Sequence, residues 1–138
     1  MAKPENSFRM GVHRYLPPEL HHEKMNNPYS SGTADDWYSG NKADLWVEYK
    51  FLPKTPQRAI VWLTDPSVKK PPLSVLQQRW LRERYEEGRT VAVVIGCPDG
   101  GIILRDQEWT WEYTPKMFRD RLVPRKAIAQ WIVQTTTR

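Results

Sequence analysis

Three charged residues in the first half of the sequence are spaced so that they could act on one substrate. Glu48 and Lys50 lie two residues apart in segment 43–51, where apolar and polar residues alternate as in a strand. Successive side chains of a strand point to opposite faces, so both would project from the same face. Asp35 lies on the preceding arm of a predicted hairpin, from which it could approach them. Two carboxylates and an amine are therefore expected to converge.

Such a group of charges predicts a metal site. Charged residues on a sheet otherwise built of Trp, Val and Tyr cost desolvation energy, unless a divalent cation neutralises the carboxylates. The two acids and the backbone carbonyl of Tyr49 offer hard oxygen ligands, which suit Mg²⁺. With Lys50 to orient or deprotonate the attacking water, this arrangement could hydrolyse a phosphodiester. An E-x-K triplet alone is also common on solvated sheet faces, so its neighbours must be considered.

The elements that hold these residues can be predicted from periodicity, prolines and turn residues. The expected elements, in chain order, are a helix over 4–16, a short strand over 20–26, hairpin arms over 35–39 and 43–51, an insertion loop over 52–72 with a short strand at 59–63, a helix from the N-cap Ser74 to Glu87, strands over 90–95 and 102–104, and helices over 115–122 and from Pro124 onward. The order is α, β-β-β, α, β with C-terminal additions.

Composition limits the remaining possibilities. A chain of 138 residues, 39% of them hydrophobic, predicts one folded domain over 1–138. The net charge of +5 and the pI of about 9.4 favour an anionic partner, although only weakly. Cys97 is the single cysteine, which excludes an internal disulfide and argues against a zinc site. No apolar run resembles a signal peptide or a membrane span, so we expect a cytoplasmic protein.

The order of short motifs along the chain resembles a known nuclease family. G-x-x-D at 32–35 is followed by the hairpin and by E-x-K at 48–50. L-S-x-L-Q-x-x-W at 73–80 then opens a helix, and G-x-x-V at 88–91 leads into a buried strand. This order is similar to the virus-type replication-repair nuclease branch of the PD-(D/E)XK superfamily, over about residues 5–104. The resemblance implies an α/β fold with a PD-(D/E)XK core, a mixed sheet flanked by helices, and a helical addition over about 109–138.

The same resemblance implies roles for individual residues. Asp35 and Glu48 would be metal ligands for Mg²⁺ or Mn²⁺, and Lys50 would be the catalytic lysine. If the register were wrong by one residue, Asp36 would take the place of Asp35. Ala34 stands where the family often has proline, a position without a chemical role.

More peripheral residues can be assigned either a functional or a structural role. Gln77 matches the family's helix glutamine near the active site; otherwise it is a surface amide. Glu5 is the best match for a further acid on the first helix, although a charge there also complements the helix dipole. Basic residues around the insertion and the long helix could bind a DNA backbone or be solvated. The candidates for nucleic-acid binding are Lys24, Lys54, Lys69, Lys70 and Arg79. Trp37, Trp46 and Trp80 are expected in the core, and the three histidines are given no catalytic role.

These observations favour a Mg²⁺-dependent endodeoxyribonuclease that acts on branched or structured DNA as a homodimer, as in small phage-encoded members of the branch. The rival is a catalytically silent DNA-binding or regulatory protein that retains the nuclease fold. The retained charged set argues against the rival, because buried like charges repel each other without a metal. A sequence-specific restriction-type nuclease or nickase would share the chemistry and differ in recognition.

Overall fold

The computed structural model describes residues 3–25 and 32–138. Most of the loop expected over 26–32 therefore lies outside the described residues. The helices are α1 (Pro4–His13), α2 (Val75–Glu86), α3 (Pro115–Arg121) and α4 (Arg125–Thr136), with a short 3₁₀ helix at Glu108–Thr110. The strands are β1 (His21–Lys24), β2 (Asp36–Ser39), β3 (Asp44–Phe51), β4 (Val61–Trp62), β5 (Val91–Cys97), β6 (Gly100–Arg105) and β7 (Glu112–Tyr113).

Five of the strands form one mixed sheet in the order β1-β2-β3-β5-β6. Antiparallel pairs join β1 to β2, β2 to β3 and β5 to β6, whereas β3 and β5 run parallel. All seven residues of β5 are buried, as its nearly continuous β-branched sequence predicts for a strand covered on both faces. The expected α/β fold, a mixed sheet flanked by helices, is thus confirmed.

Each face of the sheet packs against its own set of helices. Leu45, Val47 and Tyr49 of β3 are fully buried with apolar residues of α1 and α4. The opposite face packs against α2, α3 and the insertion, and includes the β5 residues Val93 and Ile95. Because side chains alternate along β3, Glu48 and Lys50 point to the second face. The sheet therefore separates Glu48 and Lys50 from the hydrophobic residues that pack against α1.

Several boundaries differ from the sequence-based expectation. Helix α1 ends at His13 instead of Leu16. The ring of Pro17 disfavours the helical conformation at Leu16, so the helix ends before that residue. The expected strand at 59–63 is reduced to β4, which pairs with β7 in a small second sheet. The insertion is consequently tied to the C-terminal region. None of the helices in the described ranges is long and apolar enough to cross a membrane.

The C-terminal helix contributes to the core on the α1 side. Ile128, Ala129 and Ile132 are fully buried, whereas Trp131, expected on the same apolar stripe, is only partly buried. Ile128 and Ile132 join Phe8 of α1 in one hydrophobic cluster. Helices α1 and α4 therefore pack against each other and against the same face of the sheet.

Close packing of α1 on β5 gives a stability prediction. A Cβ atom at Gly96 would lie 2.6 Å from ring atoms of Phe8, which is too close for either to remain in place. We expect Gly96→Ala to lower the free energy of unfolding by about 1–3 kcal/mol, the usual cost of overpacking a core. Urea denaturation measures the loss. Phe8→Leu/Gly96→Ala should lose less than the sum of the single variants, because leucine makes room; strict additivity would contradict the contact.

Candidate active site

The β2–β3 hairpin brings Asp35 beside Glu48. Asp36, the first residue of β2, pairs with Val47 in the antiparallel register, so Asp35, which immediately precedes the strand, falls opposite Glu48. The backbone N–H of Tyr49 donates a hydrogen bond to Asp35 Oδ2 at 2.8 Å, which fixes the carboxylate against β3. Asp35 is thus held by the strand that carries the other two charged residues.

A third carboxylate comes from α1. One oxygen each from Glu5, Asp35 and Glu48 can be chosen so that all three lie within 4.8 Å of one another. Glu5 lies in the first turn of α1, so the cluster joins a helix to both arms of the hairpin. Burial, followed by the charge of Asp35, raises the pKa of Glu5 above its ordinary value. Three like charges in this space repel one another unless protons or a cation offset them.

Glu48 is the innermost carboxylate of the three. Only 1% of the residue is exposed, and burial together with the charge of Asp35 raises its pKa to about 9, against the lowering effect of Lys50. Its Oε2 accepts a hydrogen bond from Gln77, while Oε1 has no hydrogen-bond partner in the described part of the chain. A buried carboxylate oxygen without a partner is costly, and a cation would satisfy it.

Gln77 joins Lys50 to Glu48. Its Nε2 donates to Glu48 Oε2 at 3.1 Å, and its Oε1 accepts from Lys50 Nζ at 3.2 Å. Lys50 Nζ also lies 3.4 Å from Glu48 Oε2. The glutamine is held by a capping box in which the Ser74 side chain accepts from its backbone N–H and its Oε1 accepts from the Ser74 N–H. The start of α2 therefore positions the lysine and the acid together.

Asp36 lies on the opposite face of the sheet from this group. It is fully buried, and both of its carboxylate oxygens accept from the guanidinium of Arg9 on α1. The exchange of roles between Asp35 and Asp36, considered from the sequence, is therefore not realised. Arg9 was missed by the sequence analysis, although its spacing of four residues from Glu5 placed both on one face of the predicted helix.

The next turn of α1 continues the polar contacts. His13 Nε2 lies 2.6 Å from the hydroxyl of Tyr38, which in turn lies 2.6 Å from the hydroxyl of Tyr49. Burial lowers the pKa of His13 to about 3, so the ring is neutral at physiological pH. His13 is thus part of the hydrogen-bonded core behind the site.

The remaining candidates lie outside the Glu48–Gln77–Lys50 network. Lys24 is exposed on β1, yet close enough to help lower the pKa of Glu5. The metal-ligand role of the Tyr49 carbonyl stays a prediction. Trp37, Trp46 and Trp80, expected in the core, are only partly buried; Trp46 stacks on Trp37 and contacts Trp80 edge-to-face. The other basic residues proposed for nucleic-acid binding are all exposed, namely Lys54, Lys69, Lys70 and Arg79, the last near Glu83 at 3.7 Å.

The donor atoms of this site fit a hard divalent cation. The candidate side-chain ligands are all carboxylate oxygens, which Mg²⁺ and Mn²⁺ accept, and no described cysteine or histidine belongs to the cluster. The unpartnered Oε1 of Glu48 lies in a buried position where a ligand role would satisfy it. Glu5, Asp35 and Glu48 would hold the ion, with Lys50 beside them.

The raised pKa of Glu48 predicts how stability depends on pH without metal. A carboxyl group with a folded pKa of about 9 and an ordinary value of 4.5 keeps its proton in the native state after the unfolded chain has lost it. The contribution of Glu48 to the free energy of unfolding is fully present below pH 4.5 and is lost as the pH rises through 9. At pH 9 in EDTA, Glu48→Gln should therefore be more stable than the wild type by more than about 1 kcal/mol.

Urea denaturation in EDTA at pH 5, 7 and 9 measures this effect. The difference between the variant and the wild type should grow with pH, because glutamine has no proton to lose. Glu112→Gln is the matched control, since Glu112 also lies on a strand but is exposed. A constant difference across the pH range would show that the pKa of Glu48 is not raised.

Comparisons with known proteins provide a likeness of fold. No protein-family model matches the sequence, and no curated protein matches it. Among solved structures, the chain is similar to Hjc of Archaeoglobus fulgidus, a Holliday junction resolvase from an archaeal hyperthermophile. The match has a TM-score of 0.54 and 11% sequence identity, and covers 93% of this chain and 97% of that chain. At this identity the comparison shows that the two chains share a fold.

Proposed function

We propose that this chain is a divalent-metal-dependent endodeoxyribonuclease that cuts branched DNA. The observation that carries the proposal is the cluster of Glu5, Asp35 and Glu48, in which a buried carboxylate oxygen lacks a partner and Lys50 lies alongside. Carboxylates that share a cation next to an amine are suited to phosphodiester hydrolysis. A solvated sheet face would instead expose its charges to water, whereas Glu48 is almost fully buried.

The residues of the cluster divide the chemical work. When bound, a divalent cation supplies Lewis-acid activation of water and offsets charge on the phosphate. Glu5, Asp35 and Glu48 hold the cation as oxygen ligands. Lys50 orients or deprotonates the attacking water and offsets the negative charge that develops on the phosphate. Gln77 keeps the amine of Lys50 and the carboxylate of Glu48 in a fixed relation by bonding to both.

The preference for branched DNA rests on the likeness of fold and on the family resemblance of the motifs. We infer a homodimer as well, because symmetric cleavage of a junction calls for two active sites related by a two-fold axis. Light scattering of the purified protein tests this inference. One domain over 1–138, the virus-type branch, a phage origin and a cytoplasmic setting stay predictions.

The proposal is tested with a labelled four-way junction and a linear duplex that has the sequence of one arm. We expect cleavage in Mg²⁺ or Mn²⁺, loss of cleavage in EDTA, and faster cutting of the junction than of the duplex. Binding in Ca²⁺ provides a measurement of DNA affinity without turnover.

Each outcome has a distinct meaning. Binding to DNA without cleavage in any metal would favour the silent DNA-binding rival. Equal cutting of junction and duplex would keep the nuclease and remove the preference for branched DNA. The absence of both DNA binding and cleavage would contradict the whole proposal.

A further inference from the structure

The first helix supplies a carboxylate to the cluster, but little at its start holds that carboxylate in place. The N-cap residue of α1 is Lys3, and it makes no side-chain capping hydrogen bond. No hydrogen bond or ion pair joins the Glu5 side chain to another residue within 3–25 or 32–138. The position of Glu5 relative to Asp35 therefore depends on how the rest of α1 is fixed to the sheet.

Arg9 provides a direct link between α1 and β2, the strand that Asp35 immediately precedes. Its Nε donates to Asp36 Oδ2, and its Nη2 donates to Asp36 Oδ1 at 2.7 Å. The side chains are 12% and 0% exposed, so the pair is shielded from water. Two parallel hydrogen bonds between a guanidinium and a carboxylate restrict both distance and orientation. Arg9 Nη1 also donates to Asn6 at 3.2 Å, which ties the arginine to its own helix.

The spacing of these residues makes the link specific to the metal cluster. Glu5 and Arg9 are four residues apart on α1 and therefore lie on one face, one turn from each other. Asp35 and Asp36 are consecutive, so their side chains point to opposite faces of the sheet, one residue apart along the chain. The contact between Arg9 and Asp36 on one face thus sets the approach of Glu5 to Asp35 on the other.

We propose that Arg9 is a positioning residue, which clamps Asp36 so that Glu5 and Asp35 are held at the separation a divalent cation requires. The inference rests on the proposed function, because it assumes that the carboxylate cluster binds a cation. Groups that orient metal ligands commonly contribute about 10–100-fold to metal affinity or activity. A shift of α1 along the sheet would move Glu5 without disturbing Asp35 or Glu48.

The test separates positioning from stability. Arg9→Met/Asp36→Leu replaces the buried ion pair with apolar side chains, an exchange that often leaves stability unchanged or improved. We expect this variant to fold, and to bind Mn²⁺ without DNA about tenfold more weakly than the wild type by titration calorimetry. Cleavage should need correspondingly more Mn²⁺ for half its maximal rate, while junction binding in Ca²⁺ changes little.

A second ion pair serves as the matched control. Arg121 donates two hydrogen bonds to Glu108, both at 3.1 Å, outside the cluster. Arg121→Met/Glu108→Leu should leave Mn²⁺ affinity at the wild-type level, whatever its stability. Should Arg9→Met/Asp36→Leu fail to fold, Arg9→Lys takes its place. Lysine keeps the charge but cannot donate two parallel hydrogen bonds to the carboxylate. It should also weaken Mn²⁺ binding.

The wild-type and variant measurements answer separate questions. If the wild-type protein binds no Mn²⁺, the proposed function fails and this inference fails with it. If the wild type binds Mn²⁺ and cuts DNA, but the Arg9 variants have the same affinity and metal dependence, only the positioning role is overturned.

Discussion

Asp35→Asn is expected to lower metal-dependent DNA cleavage by about 1,000-fold or more, equivalent to roughly 4 kcal/mol of transition-state stabilisation. Asparagine can still accept the hydrogen bond from the Tyr49 N–H, so the hairpin should keep its geometry. What it cannot do is offer a negatively charged oxygen to a divalent cation between Glu5 and Glu48. The loss should appear in single-turnover cleavage of a junction and in Mn²⁺ titrations without DNA.

Asp44→Asn is the matched control for this experiment. Asp44 lies on the same hairpin and is exposed, and no oxygen of its carboxylate belongs to the cluster. Its substitution should leave both the cleavage rate and Mn²⁺ affinity near wild-type values. If Asp35→Asn cut DNA as fast as the wild type, the cluster would have no part in catalysis and the assignment of the site would fall.

The hairpin and the sites on it could be predicted because they depend on local rules. Alternation along β3 fixes which residues share a face, and the turn after Ser39 fixes the pairing of the arms. Those two facts suffice to bring Asp35 beside Glu48. Ser74 was likewise expected as an N-cap, and the capping box that it forms is what brings Gln77 to Lys50. The expected residues therefore converge in the structure.

The rest of the site depends on how separate elements dock, which a local pattern does not specify. The contact of Arg9 with Asp36 depends on how α1 packs against the sheet, which includes the close approach of Phe8 to Gly96. The pairing of β4 with β7 joins segments about fifty residues apart, and neither strand exceeds two residues. Sequence periodicity over two residues carries almost no signal.

Lys50→Met is expected to reduce cleavage by about 10²–10⁴-fold, the range usually contributed by a positioned acid or base. The variant removes the amine that lies 3.2 Å from Gln77 Oε1 and 3.4 Å from Glu48 Oε2. Unlike Asp35→Asn, it takes away no oxygen ligand. Removing a nearby positive charge favours metal binding, but it also raises the pKa of Glu48 further, which disfavours metal binding. Because these two effects oppose each other, Mn²⁺ affinity should change little. Single-turnover cleavage at saturating Mn²⁺ isolates the defect.

Lys50→Arg then distinguishes the two tasks that the lysine could perform. Arginine keeps the positive charge but does not give up its proton in proteins. Retention of most activity would assign Lys50 to orienting water and offsetting charge, whereas a loss as large as that of Lys50→Met would assign it to proton transfer. Lys42→Met, an exposed lysine on the turn of the same hairpin, controls for the loss of one positive charge. Wild-type rates in Lys50→Met would remove the amine from the mechanism, even if the carboxylates were shown to bind metal.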